Sequence, residues 1–119
     1  MEAGQIIKIS APPTSGFKVM AESGEWKVGM LRYSERFSRL GEMERHMLTD
    51  ELFVLLSGAA TLYTNNEIIE MKVGYTYNVP SEIWHHVVVD KDACVMVVEN
   101  RNTSAENTQK KFFYDQEGK

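Results

Sequence analysis

An all-β sandwich or barrel is the architecture the sequence predicts, on three observations. From Glu51 onward the chain breaks into apolar runs of about 5 to 7 residues, the length of a strand rather than of a helix. Those runs are rich in Val, Ile, Leu, Thr and Tyr, a composition weighted toward side chains that suit a pleated, half-buried surface. Turn residues punctuate them roughly every 8 to 12 positions, the spacing of successive strands in a sandwich or barrel.

Taken in order, "QIIKIS" (Gln5 to Ser10) and "EWKVGMLRY" (Glu25 to Tyr33) alternate apolar and polar residues and read as strands. "APPTSG" between them is excluded from regular structure by its paired prolines. From Phe37 to Leu56 two readings compete. Phe37, Leu40, Met43, Met47, Glu51 and Val54 recur at helical spacings in a segment rich in Glu, Met and Leu. Gly41 and Gly58 interrupt that pattern and everything downstream is strand-like, which favours β here too. The following runs are "ELFVLLS" to Gly58, "AATLYT" to Asn65-Asn66, "EIIEMK" to Gly74, "YTYNV" to Pro80, "IWHHVVV" to Asp90 and "ACVMVVE" to Asn100. The Asn65-Asn66 pair tolerates positive φ and predicts a tight hairpin. Residues 102–119 read as a polar tail whose aromatic cluster, Phe112-Phe113-Tyr114, can dock on the body or on a partner.

Composition narrows the function. With 119 residues, 43% apolar and 25% charged, residues 1–119 suffice for one domain with a single core. The net charge is −4 and no basic cluster exceeds Lys110-Lys111, so no nucleic-acid partner is expected, because neutralising phosphates takes concentrated Lys and Arg. No apolar run reaches the roughly 20 residues that cross a bilayer, and the start lacks the basic-then-apolar order of a secretory signal. No membrane partner and a cytoplasmic location are therefore expected. Cys94 is the only cysteine, which excludes an intrachain disulfide and a cysteine-based zinc cluster and leaves it as strand packing. No glycine-rich phosphate loop, serine nucleophile elbow or zinc-protease helix is present.

The stretch "ERHMLTDELFVLLSG" (Glu44 to Gly58) is chemically distinctive: a histidine between two glutamates directly ahead of an apolar run. It is either a helix end with solvated charges or half of a metal site. If Glu44 to Met47 is extended, Glu44 and His46 share a face, and Glu51 opens the next strand after a short turn, within reach of His46. On "IWHHVVV" the same alternation puts Ile83, His85, Val87 and Val89 on one face and Trp84, His86 and Val88 on the other. With His85 inward, His86 is expected outside as a surface or interface histidine with no metal role. Tyr63, Tyr75, Tyr77 and Trp84 are expected to pack, and Phe53, which shares a face with Glu51, is the best candidate for a substrate-cavity wall. Arg32, Arg45 and Arg101 could anchor an anionic substrate, and the pattern selects none of them.

These residues carry a resemblance. The spacing Glu44-x-His46-x4-Glu51-x6-Gly58 is similar to the first motif of the cupin superfamily, in which two histidines one residue apart precede a glutamate and a glycine. "GYTYNVPSEIWHH", read as Gly74-x5-Pro80-x4-His85, resembles the second motif. The likeness spans about residues 41–89 and is that of a small single-domain microbial cupin. It implies a double-stranded β-helix, or jelly-roll barrel, holding a divalent metal at one mouth, with Glu44, His46, Glu51 and His85 at the ligand positions. The chain departs from the pattern where Glu44 replaces a histidine, Gly41 stands in a shortened loop, Glu82 replaces a glycine and Val89 an asparagine.

Two imidazoles and a carboxylate suit Fe, Mn, Zn or Ni and leave coordination positions open, while Glu44 adds a fourth, harder ligand or serves as a catalytic general base. A cupin that has lost its metal, with His46 and Glu51 hydrogen-bonded in a polar cavity, is the alternative. Two functional classes stay open: a metal-dependent isomerase, dioxygenase or lyase acting on a small polar molecule, and a protein that binds or senses a small-molecule ligand without turnover. A homodimer is expected, since exposed strand edges invite pairing and members of this superfamily often exchange N-terminal strands, for which "QIIKIS" is the candidate.

Overall fold

The computed structural model describes residues 6–112, in which ten strands form two five-stranded antiparallel sheets. The strands are β1 (Gly16–Ser23), β2 (Trp26–Arg32), β3 (Glu42–His46), β4 (Glu51–Ser57), β5 (Ala60–Thr64), β6 (Ile68–Glu70), β7 (Thr76–Val79), β8 (His85–Val89), β9 (Cys94–Asn100) and β10 (Thr108–Phe112). The first sheet runs β1-β2-β9-β4-β7 and the second β10-β3-β8-β5-β6. Consecutive strands repeatedly switch sheets, which is the jelly-roll arrangement, so β3 and β4 face each other across the core although only four residues separate them. Short 3₁₀ turns at Glu35–Phe37 and Ala105–Asn107 precede β3 and β10. No helix among the described residues is long and apolar enough to cross a membrane.

Period-two alternation sets the core. Leu31, Phe53, Leu55, Leu62, Val87, Val95 and Val97 are each no more than 3% exposed and fill the space between the sheets. Each such side chain stabilises the fold by about 1.5–3 kcal/mol relative to exposure. The segment with competing helical and strand readings is β3 and β4, because extended backbone there buries Phe53 and Leu55 in the common core, whereas a helix would bury one stripe and leave β9 without its neighbour. Gly58 turns the chain from β4 to β5 at φ +76°, and a Cβ there would lie 2.5 Å from the Ala93 backbone.

Several local expectations are corrected. Residues 6–10 form no strand, although Ser10 Oγ donates to the Met20 carbonyl of β1 at 2.9 Å, and Gln5 falls outside the described residues. The β5–β6 hairpin occurs at Asn65-Asn66, but neither asparagine has positive φ; Thr64 Oγ1 instead accepts from the Asn66 and Glu67 amides. Gly16–Ser23 is a strand that the sequence reading did not assign. The tail is only partly a tail: Thr108–Phe112 pairs with β3 along its whole length, while Phe113 and Tyr114 fall outside the described residues.

Candidate metal centre

His46 ends β3, Glu51 begins β4 and His85 begins β8, so the three lie where strands from both sheets start or stop at one end of the barrel. Backbone and side-chain ties hold that end together. The amide of Glu82, in the turn between β7 and β8, donates to the His46 carbonyl at 2.8 Å. Asp50 accepts from the Ser81 amide at 3.0 Å and from Asn78 Nδ2 at 3.1 Å. The two stretches of the sequence that bear the histidines are thereby locked to each other. Opposite pairing of Glu44 with His85 confirms that these two side chains share the inner face of the second sheet.

His46, Glu51 and His85 are all buried, and a ligand atom from each lies within 4.8 Å of the other two. Glu51 Oε1 is 2.8 Å from His85 Nε2 and 2.9 Å from His46 Nε2. The contact to His85 is a hydrogen bond. The contact to His46 is equally short but poorly directed, and Nε2 of His46 is the buried side-chain nitrogen or oxygen among the described residues that is left without a hydrogen-bond partner. A buried ring nitrogen without a partner is costly, and an ion on its lone pair would supply one. The far side of each ring is fixed: His46 Nδ1 is 2.9 Å from Thr108 Oγ1 and His85 Nδ1 is 2.9 Å from the Ile83 carbonyl. The Ile83 carbonyl can only accept, so His85 Nδ1 donates, and a His46 that donates to Thr108 matches it. Once an ion displaces the proton from Nε2, each ring is in the tautomer metal-binding histidines use. Two donors bound to one ion at about 2.1 Å and a right angle stand about 3 Å apart, close to the spacing of Oε1 from each imidazole. The residues present therefore fit a divalent ion.

Without an ion the cluster is strongly polarised. Burial alone favours neutral Glu51, but its contacts with His46, His85 and Glu99 outweigh burial and hold its carboxyl well below the usual carboxylate range. Burial likewise disfavours charged His46 and His85, and the Glu51 carboxylate reverses this, raising both. Glu99, on β9, is pushed up to about 8 by burial first and then by Glu51, with Lys27 3.7 Å away pulling in the other direction.

The cluster opens on a cavity of about 300 Å³. Phe53 lines it and meets the His85 ring edge-on at 5.7 Å between centroids. Glu44 lines the same cavity, outside the three-residue cluster, with Oε2 accepting from Arg36 Nη2 at 3.1 Å. His86 is not on the surface: it is 3% exposed, because the Glu35–Phe37 turn covers it, with Phe37 stacked on the ring and the Arg36 carbonyl 3.2 Å from Nε2. Among the arginines, Arg45 packs over Trp84 and Arg101 pairs with Glu22, away from the cavity. The arginine that reaches it, Arg36, was missed in the sequence, as were Glu99, Lys27 and Thr108. Alternation along "ACVMVVE" carries the signal for Glu99, since Val95 and Val97 point into the core and Glu99 continues their face. Thr108 carries no such signal, because its role depends on the tail returning to β3.

By sequence, the chain matches no protein-family model and no curated protein. By structure it is similar to a cupin-2 domain protein from Shewanella frigidimarina (TM-score 0.60, 22% identity, covering 72% of this chain and 80% of that one). It is also similar to a cupin superfamily protein from Desulfitobacterium hafniense (TM-score 0.56, 16% identity, 71% and 74% covered). A third likeness is to Streptomyces Pac13 determined with uridine (TM-score 0.67, 13% identity, 91% and 92% covered), a protein described as a nucleoside dehydratase. The chain has the cupin fold, a jelly-roll barrel with a possible His-Glu-His metal site inside it.

Proposed function

We propose that this protein holds one divalent metal ion, of the Fe, Mn, Zn or Ni type, on His46, Glu51 and His85 and binds a small polar molecule beside it. The observation that carries this reading is the buried His46 Nε2, without a hydrogen-bond partner and 2.9 Å from a carboxylate that also contacts His85. A bound ion supplies Lewis acidity toward a substrate oxygen or lowers the pKa of a bound water. Glu51 and the two imidazoles hold it, Thr108 and the Ile83 carbonyl orient the rings, and Glu44 is the side chain placed to take a proton from a ligand in the cavity. Among similar folds a nucleoside dehydratase supports the lyase member of the set, and isomerase and dioxygenase chemistry stay as alternatives for the same centre.

One observation favours binding without turnover as the second reading: Glu44 Oε2 is tied to Arg36 Nη2 at 3.1 Å, as a side chain that anchors a ligand would be. Elemental analysis of untagged protein tests the metal directly. Wild type is expected to carry about one equivalent, and the His46→Ala, His85→Ala double variant background only, as loss of two of three ligands requires. Equal content in both would remove the centre.

A further inference from the structure

One wall of the cavity is built around an ion pair. Arg36 Nε donates to Glu42 Oε2 at 3.0 Å and Arg36 Nη2 to Glu44 Oε2 at 3.1 Å, and the guanidinium carbon sits 4.9 Å from the centre of the Phe37 ring. Three contacts thus fix a guanidinium that lines the cavity. Nη1 of Arg36 and Oε1 of Glu44 make no hydrogen bond among the described residues. A charged donor and a charged acceptor of one ion pair therefore line the cavity, each with capacity to spare.

We propose that the cavity takes a neutral molecule with two adjacent hydroxyl groups, a small sugar or polyol, and that Arg36 and Glu44 together grip that diol. The proposal rests on the reading of this cavity as a small-molecule site and specifies its ligand class. Hydroxyl oxygens on neighbouring carbons are spaced like a hydrogen-bonded pair, and a hydroxyl both donates and accepts. One hydroxyl can accept from the guanidinium while its neighbour donates to the carboxylate, and both bonds are of the stronger, charge-assisted kind.

Pairing of the cavity's cations argues for a neutral ligand over an anion. The cavity is lined by Lys27, Arg36 and Lys110 against Glu44, Glu51 and Glu99. Lys27 lies 3.7 Å from Glu99, Arg36 is bound by two carboxylates, and Lys110 stands directly across from Glu44 on the neighbouring strand. Each of these cations thus already has a carboxyl group beside it. Phe17 and Phe53 supply apolar surface for the C–H face of a ring. The volume, about 300 Å³, lies at the small end of ligand sites.

The test is a ligand-observed NMR titration of the full-length, metal-analysed protein with three probes: anhydroerythritol, a neutral ring with two adjacent hydroxyls; tetrahydrofuranol, the same ring with one; and succinate, an anion with none. Saturable binding of the diol is expected, about tenfold weaker for the mono-alcohol, with a similar loss for Glu44→Gln and for Arg36→Gln. Equal affinity for the two ring alcohols, tighter binding of succinate, or no saturable binding of any probe overturns the proposal. The comparison of probes on wild type needs no variant, so a folding defect in Arg36→Gln leaves it decisive. Metal content of the same sample separates the two readings: metal present with no diol preference removes this proposal alone, and diol preference without metal removes the metal alone.

Discussion

At the scale of single residues, the centre depends on groups that do not themselves enter the ligand cluster. Thr108 is the clearest. Its hydroxyl is the partner of His46 Nδ1, and it comes from β10, more than sixty residues downstream. Thr108→Val keeps shape and strand propensity and removes only that partner. Ligand-orienting contacts of this type are worth about 10- to 100-fold in metal affinity. Chelator competition is therefore expected to show metal binding weakened by about that factor with thermal stability nearly unchanged. Unaltered affinity would mean that Thr108 has no part in setting the imidazole. Glu99 acts differently, as a buried carboxyl that shares the Glu51 environment and carries its proton to an unusually high pH.

At the scale of elements, the turn between β7 and β8 shows how a departure from a motif is absorbed. Glu82 occupies a position where the resembling family has glycine, and it adopts φ +70°, the only non-glycine residue with positive φ among those described. The conformation is retained because the Glu82 amide must reach the His46 carbonyl and so tie the two motifs together. Left-handed backbone costs a residue with a Cβ roughly 1–2 kcal/mol. Glycine avoids that strain but gives back part of the gain through greater freedom in the unfolded chain. Glu82→Gly is accordingly expected to raise stability by up to about 1 kcal/mol in urea denaturation, and Glu82→Val to lower it. The opposite order would show that the turn is set by the side chain and not by the backbone tie.

At the scale of the whole molecule, two behaviours follow. The first is pH dependence. Glu99 has its pKa raised from 4.5 to about 8, so its contribution to stability is complete below 4.5 and is lost as pH climbs through about 8. His46 and His85 are raised from 6.5 and contribute below that value, fading above it. Glu51 is lowered, so its contribution is present above 4.5 and lost on acidification. Metal-free protein is therefore expected to melt at progressively lower temperature from about pH 5 to about pH 9. An ion competes with protons for the imidazoles, so the gap between metal-loaded and metal-free melting temperatures should widen over the same range. Scanning calorimetry with and without chelator checks both slopes, and a metal-free melting temperature that climbs with pH would contradict them.

The second is self-association, which we propose on the strength of surfaces the single chain does not cover. Ile6 and Ile9 are 85% and 81% exposed on the segment ahead of β1, and the described chain measures 61 Å along its longest axis against 30 and 25 Å across the others. Pairing with a second copy gives such a segment both a sheet edge and an apolar surface. Sedimentation equilibrium at micromolar concentration is expected to return twice the 13.6 kDa chain mass, and a monomer would refute the pairing.

Run length, composition and turn spacing are local properties and were enough to read the strands from Glu51 to Glu99, while side-chain alternation gave the shared inward face of His85, Val87 and Val89 and the placement of Phe53 beside Glu51. A period of two is written in adjacent residues and does not depend on what lies across the barrel. The competition between helix and strand at Phe37 to Leu56 was of another kind, since both periods were present and only burial against β9 chose between them. Which side chains surround the cavity was also a tertiary outcome. Arg36 and Thr108 reach it because a 3₁₀ turn folds over β8 and because the tail pairs with β3, contacts between segments far apart in the chain. Nearby residues carry their own periodicity, whereas residues sixty positions apart meet only when a common core has drawn their strands together.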